Sequence, residues 1–168
     1  MFKGAAVVMG VASCGKTTVG EALAKALNVP FIEGDRLHPP ANIAKMSAGI
    51  ALTDQDRWPW LAKVGEGLQG SEGAMASCSA LRRVYREKIE KAAGRPVSFI
   101  YLRGSKALLE ARIAARRGHF MPASLLSSQL ATLETPGADE RAVTIDIALP
   151  LEEIVARAVA YLTAADRR

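Results

Sequence analysis

The chain holds 168 residues and two cysteines, Cys14 and Cys78. Two such thiols make neither a disulfide framework nor a metal-ligand spacing, so a reducing cytoplasm is the simplest compartment. No apolar run approaches the length that spans a bilayer, so no membrane partner is expected. The first strand-like run starts so near the N-terminus that no signal peptide is expected. Internal repeats and low-complexity segments are also missing. The net charge is +5, but the basic residues are dispersed and no RNA- or DNA-binding motif accompanies them. Nucleic acid is therefore not an expected partner. What remains is a chain 49% hydrophobic and 23% charged, the balance of a folded globular protein. Its length suits one domain, residues 1–168, and is short for two.

The most informative segment is Gly10-Val11-Ala12-Ser13-Cys14-Gly15-Lys16-Thr17. It fits G-x-x-x-x-G-K-[ST] at every fixed position. The glycines let the backbone curl so that successive N–H groups face an anion. Lys16 can reach terminal phosphates, and the Thr17 hydroxyl can hold Mg²⁺. Ala5 to Met9 is a continuous apolar run, as in a strand buried on both faces. Val19, Ala22, Leu23, Ala26 and Leu27 then mark one helical face. The helix N-terminus falls at Lys16 to Thr18, so Thr18 joins the expected phosphate contacts. An ordinary glycine turn would not need Lys and Thr in register. The positive net charge then suits a cleft for ATP and an acidic substrate.

Strand-like and helix-like segments alternate beyond the loop. Phe31–Glu33, Ala74–Ser77, Val97–Leu102 and Val143–Ile145 read as further strands. Leu81, Val84, Tyr85, Ile89 and Ala92 share one helical face, and a last helix follows Pro150. Repeated β-α units predict a three-layer α/β/α phosphate-loop NTPase fold, with a five-stranded parallel sheet and helices on both faces. Ligands then gather at the carboxyl ends of the strands. Two stretches rich in charge, Gly and Pro break the alternation, about 35–60 and 116–139. Their places predict a substrate-binding insertion and a mobile closing lid.

Several side chains in these stretches suit phosphoryl transfer. Glu33 and Asp35 flank Gly34, and strand alternation would turn both carboxylates toward the loop. One can order water on Mg²⁺, which makes Glu33 a metal-side candidate with Thr17. The other can accept a proton from an attacking hydroxyl. A solvated acidic turn is the plainer alternative. Arg112 and Arg116 stand four apart, about 6 Å along a predicted helix. One guanidinium can stack on a base and another can reach a transferring phosphoryl. A basic, solvated helix end is as good an account of the spacing. Arg117 and His119 follow. Cys14 lies near a helix N-terminus, which favours a reactive thiol, but phosphoryl transfer needs no thiol nucleophile. Trp58 and Trp60 read as core.

One family uses these pieces in this order. Gly34-Asp35-Arg36-Leu37-His38-Pro39, Asn42, Lys45-Met46 and Gly49 resemble the gluconokinases. So do Leu52-Thr53-Asp54, Asp56-Arg57-Trp58-Pro59-Trp60-Leu61 and Cys78-Ser79-Ala80-Leu81 with Tyr85-Arg86. Phe99–Leu102, Arg117-Gly118-His119-Phe120, Ser128-Gln129, Thr132-Leu133-Glu134 and Pro136–Arg141 continue the match. The resemblance implies ATP-dependent phosphorylation of D-gluconate at its 6-hydroxyl, on a fold similar to shikimate kinase. It implies Asp35 as base or orienter of the hydroxyl, and Lys16 and Arg116 as the other catalytic groups. His38, Arg57, Ser79 and Gln129 become substrate contacts, and Arg112 lies near adenine. The family also implies a possible homodimer. Arg36, Arg82 and the small residues of 70–77 depart from its usual pattern. A kinase for another small acid, such as shikimate, is the nearest alternative. A GTPase-type switch lacks its guanine-reading N-K-x-D here.

Overall fold

The computed structural model describes residues 1–116 and 123–168. The expected Arg117-Gly118-His119-Phe120 segment lies outside them. Five parallel strands form one sheet in the order β2-β3-β1-β4-β5. They are β1 (Ala5–Met9), β2 (Phe31–Glu33), β3 (Ala74–Ser77), β4 (Val97–Arg103) and β5 (Ala142–Asp146). Seven α-helices are described: α1 (Lys16–Leu27), α2 (Pro40–Ser47), α3 (Asp54–Gly67), α4 (Arg83–Ala93), α5 (Lys106–Ala115), α6 (Ala123–Thr132) and α7 (Leu151–Asp166). No described helix is long and apolar enough to cross a membrane.

β1 holds the centre because all five of its residues are buried. Its neighbours are β3 on one side and β4 on the other. The chain leaves β1 toward one edge through α1 and crosses to the other half through α4. Right-handed crossovers in opposite directions put helices on both faces. α1 packs beside α7, and α3 packs beside α4. α3 and α4 approach closely at Gly65, where a Cβ would meet Ala92 and the backbone of Ile89. The core is continuous through the sheet, from Val7 and Met75 to Ile100, Ile89 and Leu162.

All five strands expected from the sequence form. β3, with Ala-Met-Ala-Ser, is fully buried between neighbours, so small side chains suit it. The stretch 35–60 is not irregular. It carries a 3-10 turn (Gly34–Leu37), α2 and the start of α3. α3 begins with a capping box between Thr53 and Asp56, and Pro59 fits within its early turns. The stretch 116–139 contains α6. Its last residue, Asp139, and the residue after it, Glu140, are tied back to α4 by ion pairs with Arg83 and Arg86.

Candidate active site

The carboxyl ends of β1, β2 and β3 lead into the phosphate loop, the Asp35–His38 turn and Ser79, while Arg57, Arg112 and Gln129 stand on α3, α5 and α6. The loop after β1 turns at Gly10, whose φ of +146° suits glycine, and where a Cβ would press on Cys14 Sγ. Gly15, also left-handed, starts α1. The α1 N-terminus thus presents its unpaired N–H groups to the loop's hollow. Lys16 Nζ donates to the Val11 carbonyl at 3.1 Å, curled over its own loop.

Glu33 sits at the end of β2, paired in register with Ser77 of β3. Its two carboxylate oxygens accept from Ser77 Oγ at 2.7 Å and from Thr17 Oγ1 at 2.6 Å. A hydroxyl and a carboxylate held together are hard oxygen donors. They fit Mg²⁺, which keeps several waters and takes few protein ligands. Among the described residues no larger cluster of His, Cys, Asp and Glu could hold a metal.

Asp35 also reaches the site, but not by strand alternation. The strand ends at Glu33, and Gly34 opens a 3-10 turn that carries Asp35 round. Asp35 lines a cavity of about 270 Å³ with Lys16, Ala12, His38, Arg57, Ser79 and Gln129. Ile43, Met46, Ile50 and Leu125 form its apolar walls. Five expected residues (Asp35, His38, Arg57, Ser79 and Gln129) therefore share one cavity with the loop lysine. Gln129, on α6, accepts from the Ala12 N–H at 2.7 Å and so joins α6 to the phosphate loop.

A second cavity, about 360 Å³, lies on the other side of the loop. Ser13, Cys14, Gly15 and Thr18 line it with Arg112 and Arg116. Arg112 donates to the Ile147 carbonyl at 3.1 Å, which holds its guanidinium over this side. Arg116 is not on the helix with Arg112 as expected. It is the extended residue that caps α5, because the helix ends at Ala115. Cys14 lines the cavity yet is only 1% exposed, so burial opposes the reactivity its position suggested.

Trp60 is core, as expected, but it also builds the site. Its ring stacks on His38 with centroids 3.9 Å apart, and its Nε1–H donates to the Gly34 carbonyl at 2.8 Å. Burial holds the His38 pKa down to about 4, against the pull of Asp35 and with a push from Arg57. Sequence reasoning gave no role to Tyr85 and Asp54. Arg57 Nη1 donates to the Tyr85 hydroxyl at 2.9 Å, and that hydroxyl donates to Asp54. Arg82 pairs with the other Asp54 oxygen at 3.0 Å. Burial, and then donation to Asp54, raise the Tyr85 pKa, so its hydroxyl keeps its proton.

A nucleotide-type loop with one cavity on each side defines a phosphate-loop kinase for small molecules. A family model for shikimate kinase matches residues 12–56. A gluconokinase of Gluconobacter oxydans is 51% identical over 143 residues, covering 83% of this chain and 80% of its own. The thermoresistant gluconokinase of Escherichia coli is 41% identical, covering 91% and 90%. The crystal structure of a gluconokinase from Sinorhizobium meliloti superposes with a TM-score of 0.91 at 54% identity, covering 99% and 95%. The chain belongs to the gluconokinase family.

Proposed function

We propose that this chain transfers the γ-phosphoryl group of ATP to the 6-hydroxyl of D-gluconate, giving 6-phospho-D-gluconate and ADP. One observation carries the reading: Lys16, Asp35 and Arg57 line the same cavity beside the phosphate loop. Lys16 and Ala12 belong to its loop side, and Arg57 to its α3 side. A linear acid with its carboxylate at one end and a primary hydroxyl at the other matches that polarity. Arg57 offers a fork for the carboxylate, since its Nη1 alone is engaged by Tyr85. His38, Ser79 and Gln129 contact the hydroxylated chain between.

ATP takes the other side, with its phosphates along Gly10–Thr18 and its base beside Arg112. Asp35 orients the 6-hydroxyl and takes its proton as the new O–P bond forms and the bond to the ADP oxygen breaks. Lys16 and Arg116 offset the charge on the transferring group. Thr17 and Glu33 would hold Mg²⁺, which when bound would supply further charge neutralisation. Segment 116–139 closes over both ligands and excludes water, which suppresses hydrolysis of ATP. The cytoplasm, where ATP and reduced thiols coexist, is the compartment this chemistry suits.

ADP release by the purified protein with MgATP tests the reading, with gluconate, other aldonates, shikimate and nucleoside monophosphates as acceptors. Gluconate should give the highest kcat/KM. A higher value for any other acceptor overturns the substrate assignment.

A further inference from the structure

Asn42 stands in the first turn of α2 and is only 3% exposed. Its Nδ2 lies 2.9 Å from the backbone carbonyl oxygen of Asp56 and 3.2 Å from Nδ1 of His38. A carbonyl oxygen can only accept, so the Asn42 atom facing it must be the amide nitrogen. The amide therefore cannot be turned end for end without setting two oxygens against each other. That nitrogen carries two N–H groups. One serves Asp56, and the other is aimed at His38. A ring nitrogen that accepts a hydrogen bond carries no proton, so the neutral imidazole carries its proton on Nε2.

The ring itself is held. Trp60 stacks on it at an interplanar angle of 19°, and Trp60 is anchored through Gly34. The charged groups facing His38 are Asp35 and Arg57, and Lys16 lines the same cavity. The Asp56 carboxylate is turned away, to Lys45 at 2.7 Å and the Thr53 N–H at 2.8 Å. Only its backbone carbonyl meets Asn42. Nothing on the Asn42 side therefore offers His38 an acceptor for a proton on Nδ1.

We propose that Asn42 is a positioning residue that fixes His38 as the Nε2–H tautomer, making His38 a one-way hydrogen-bond donor to an oxygen of the sugar acid. The ligand in this statement rests on the gluconate reading above, but the tautomer does not. A donor of fixed sense orders the bound polyol, because the oxygen it meets must turn a lone pair toward it and send its own proton elsewhere. A histidine free to change tautomer would accept either orientation. Burial keeps the ring neutral, so the donor is present throughout the neutral range.

His38 and His119 are the two histidines of the chain, so a His119→Gln variant with ¹⁵N-labelled imidazole isolates His38. Two-bond ¹H–¹⁵N spectra should show a protonated Nε2 and a bare Nδ1, unchanged from pH 8 down to about 5.5. A protonated Nδ1, an averaged pair, or a titration near the ordinary histidine value overturns the proposal. Asn42→Asp replaces the donor by a carboxylate that accepts. The proton should move to Nδ1, and the gluconate KM should rise about tenfold, roughly 1.4 kcal/mol, with ATP KM unchanged. Asn42→Asp with an intact Nε2–H signal and wild-type KM would also overturn it. If that variant does not fold, the wild-type spectrum decides alone. Gluconate turnover by the wild type is measured in parallel. Its absence overturns the ligand named here, while the spectrum alone decides the tautomer.

Discussion

Asp35 is the sole carboxylate among the described residues lining the cavity proposed for gluconate, and it shares that cavity with Lys16. A positioned base of this kind contributes on the order of a hundredfold or more to turnover. Asp35→Asn keeps the shape and removes the proton acceptor. Its kcat should fall at least about a hundredfold, with ATP affinity by calorimetry unchanged. Near-normal kcat would remove Asp35 from the chemistry. Arg57 depends on a residue outside the cavity. Its hydrogen bond to Tyr85 and a 3.6 Å approach to Asp54 leave the rest of its fork for a carboxylate. Tyr85→Phe deletes one oxygen from a side chain packed against Trp58. The gluconate KM should rise about tenfold with kcat retained, a loss of roughly 1.4 kcal/mol of binding. In an Arg57→Ala background the same change should add little, since both act through one contact. Full additivity would contradict the link. In the sequence, Tyr85 falls on the apolar stripe of α4, which accounts for its ring and hides its hydroxyl. Asp54 meets Arg82 across 28 positions of chain, a pairing that no local pattern encodes.

The elements were the most legible part of the chain, because their signals are local. Buried strands read as apolar runs, and the glycine-lysine-threonine spacing fixed where α1 starts. The turn after β2 was less legible. Alternation placed Glu33 and Asp35 on one side, and both do reach the site, but β2 stops and a 3-10 turn delivers Asp35. The reason is Gly34. A Cβ there would overlap the Ser77 carbonyl oxygen at the end of the neighbouring β3. The Gly34 N–H meets Ser77 Oγ, and its carbonyl accepts from Trp60. Gly34→Ala should therefore destabilise by about 3 kcal/mol or more, since backbone cannot yield as a side chain does. A denaturant melt measures this, and a change within 1 kcal/mol would mean that the strands part easily. Segment 116–139 reads as a lid from composition, but its rear anchorage came only from the structure. Arg86 is 2% exposed and engages Glu140 through two nitrogens, at 2.7 and 3.1 Å. Glu140→Ala strands that buried cation and should cost about 3–5 kcal/mol in the same melt. A smaller loss would show that water reaches Arg86.

For the whole molecule, the same packing that builds the cavity around His38 sets how stability responds to acid. His38 is neutral in the fold down to about pH 4, because burial outweighs the attraction of Asp35. In the unfolded chain it takes a proton near the ordinary histidine value of 6.5. Between those values the unfolded state binds a proton that the fold refuses, so stability falls as pH falls from 6.5 toward 4 and this contribution flattens below. The carboxylates act lower. Asp56 is held at about 2 by donation from Lys45 and the Thr53 N–H, against the ordinary aspartate value of 3.8. Its contribution is complete above 3.8 and is lost as pH drops toward 2. Glu140 moves the same way. Burial pushes its pKa up, but Arg86 and the Gly137 N–H outweigh it and leave it lowered. At the other end Cys78, fully enclosed, is pushed up to about 12 and adds no charge at neutral pH. Acid should therefore weaken the fold in two stages, the first from His38 and the second from the ion-paired carboxylates. Urea unfolding at steps from pH 8 to 3 should be level at first, decline below the histidine value, and decline again under the carboxylate range. His38→Gln should erase the first decline and leave the second. A wild-type curve that stays level down to pH 4 would show that the ring takes its proton within the fold, and a first decline that survives His38→Gln would show that another group causes it.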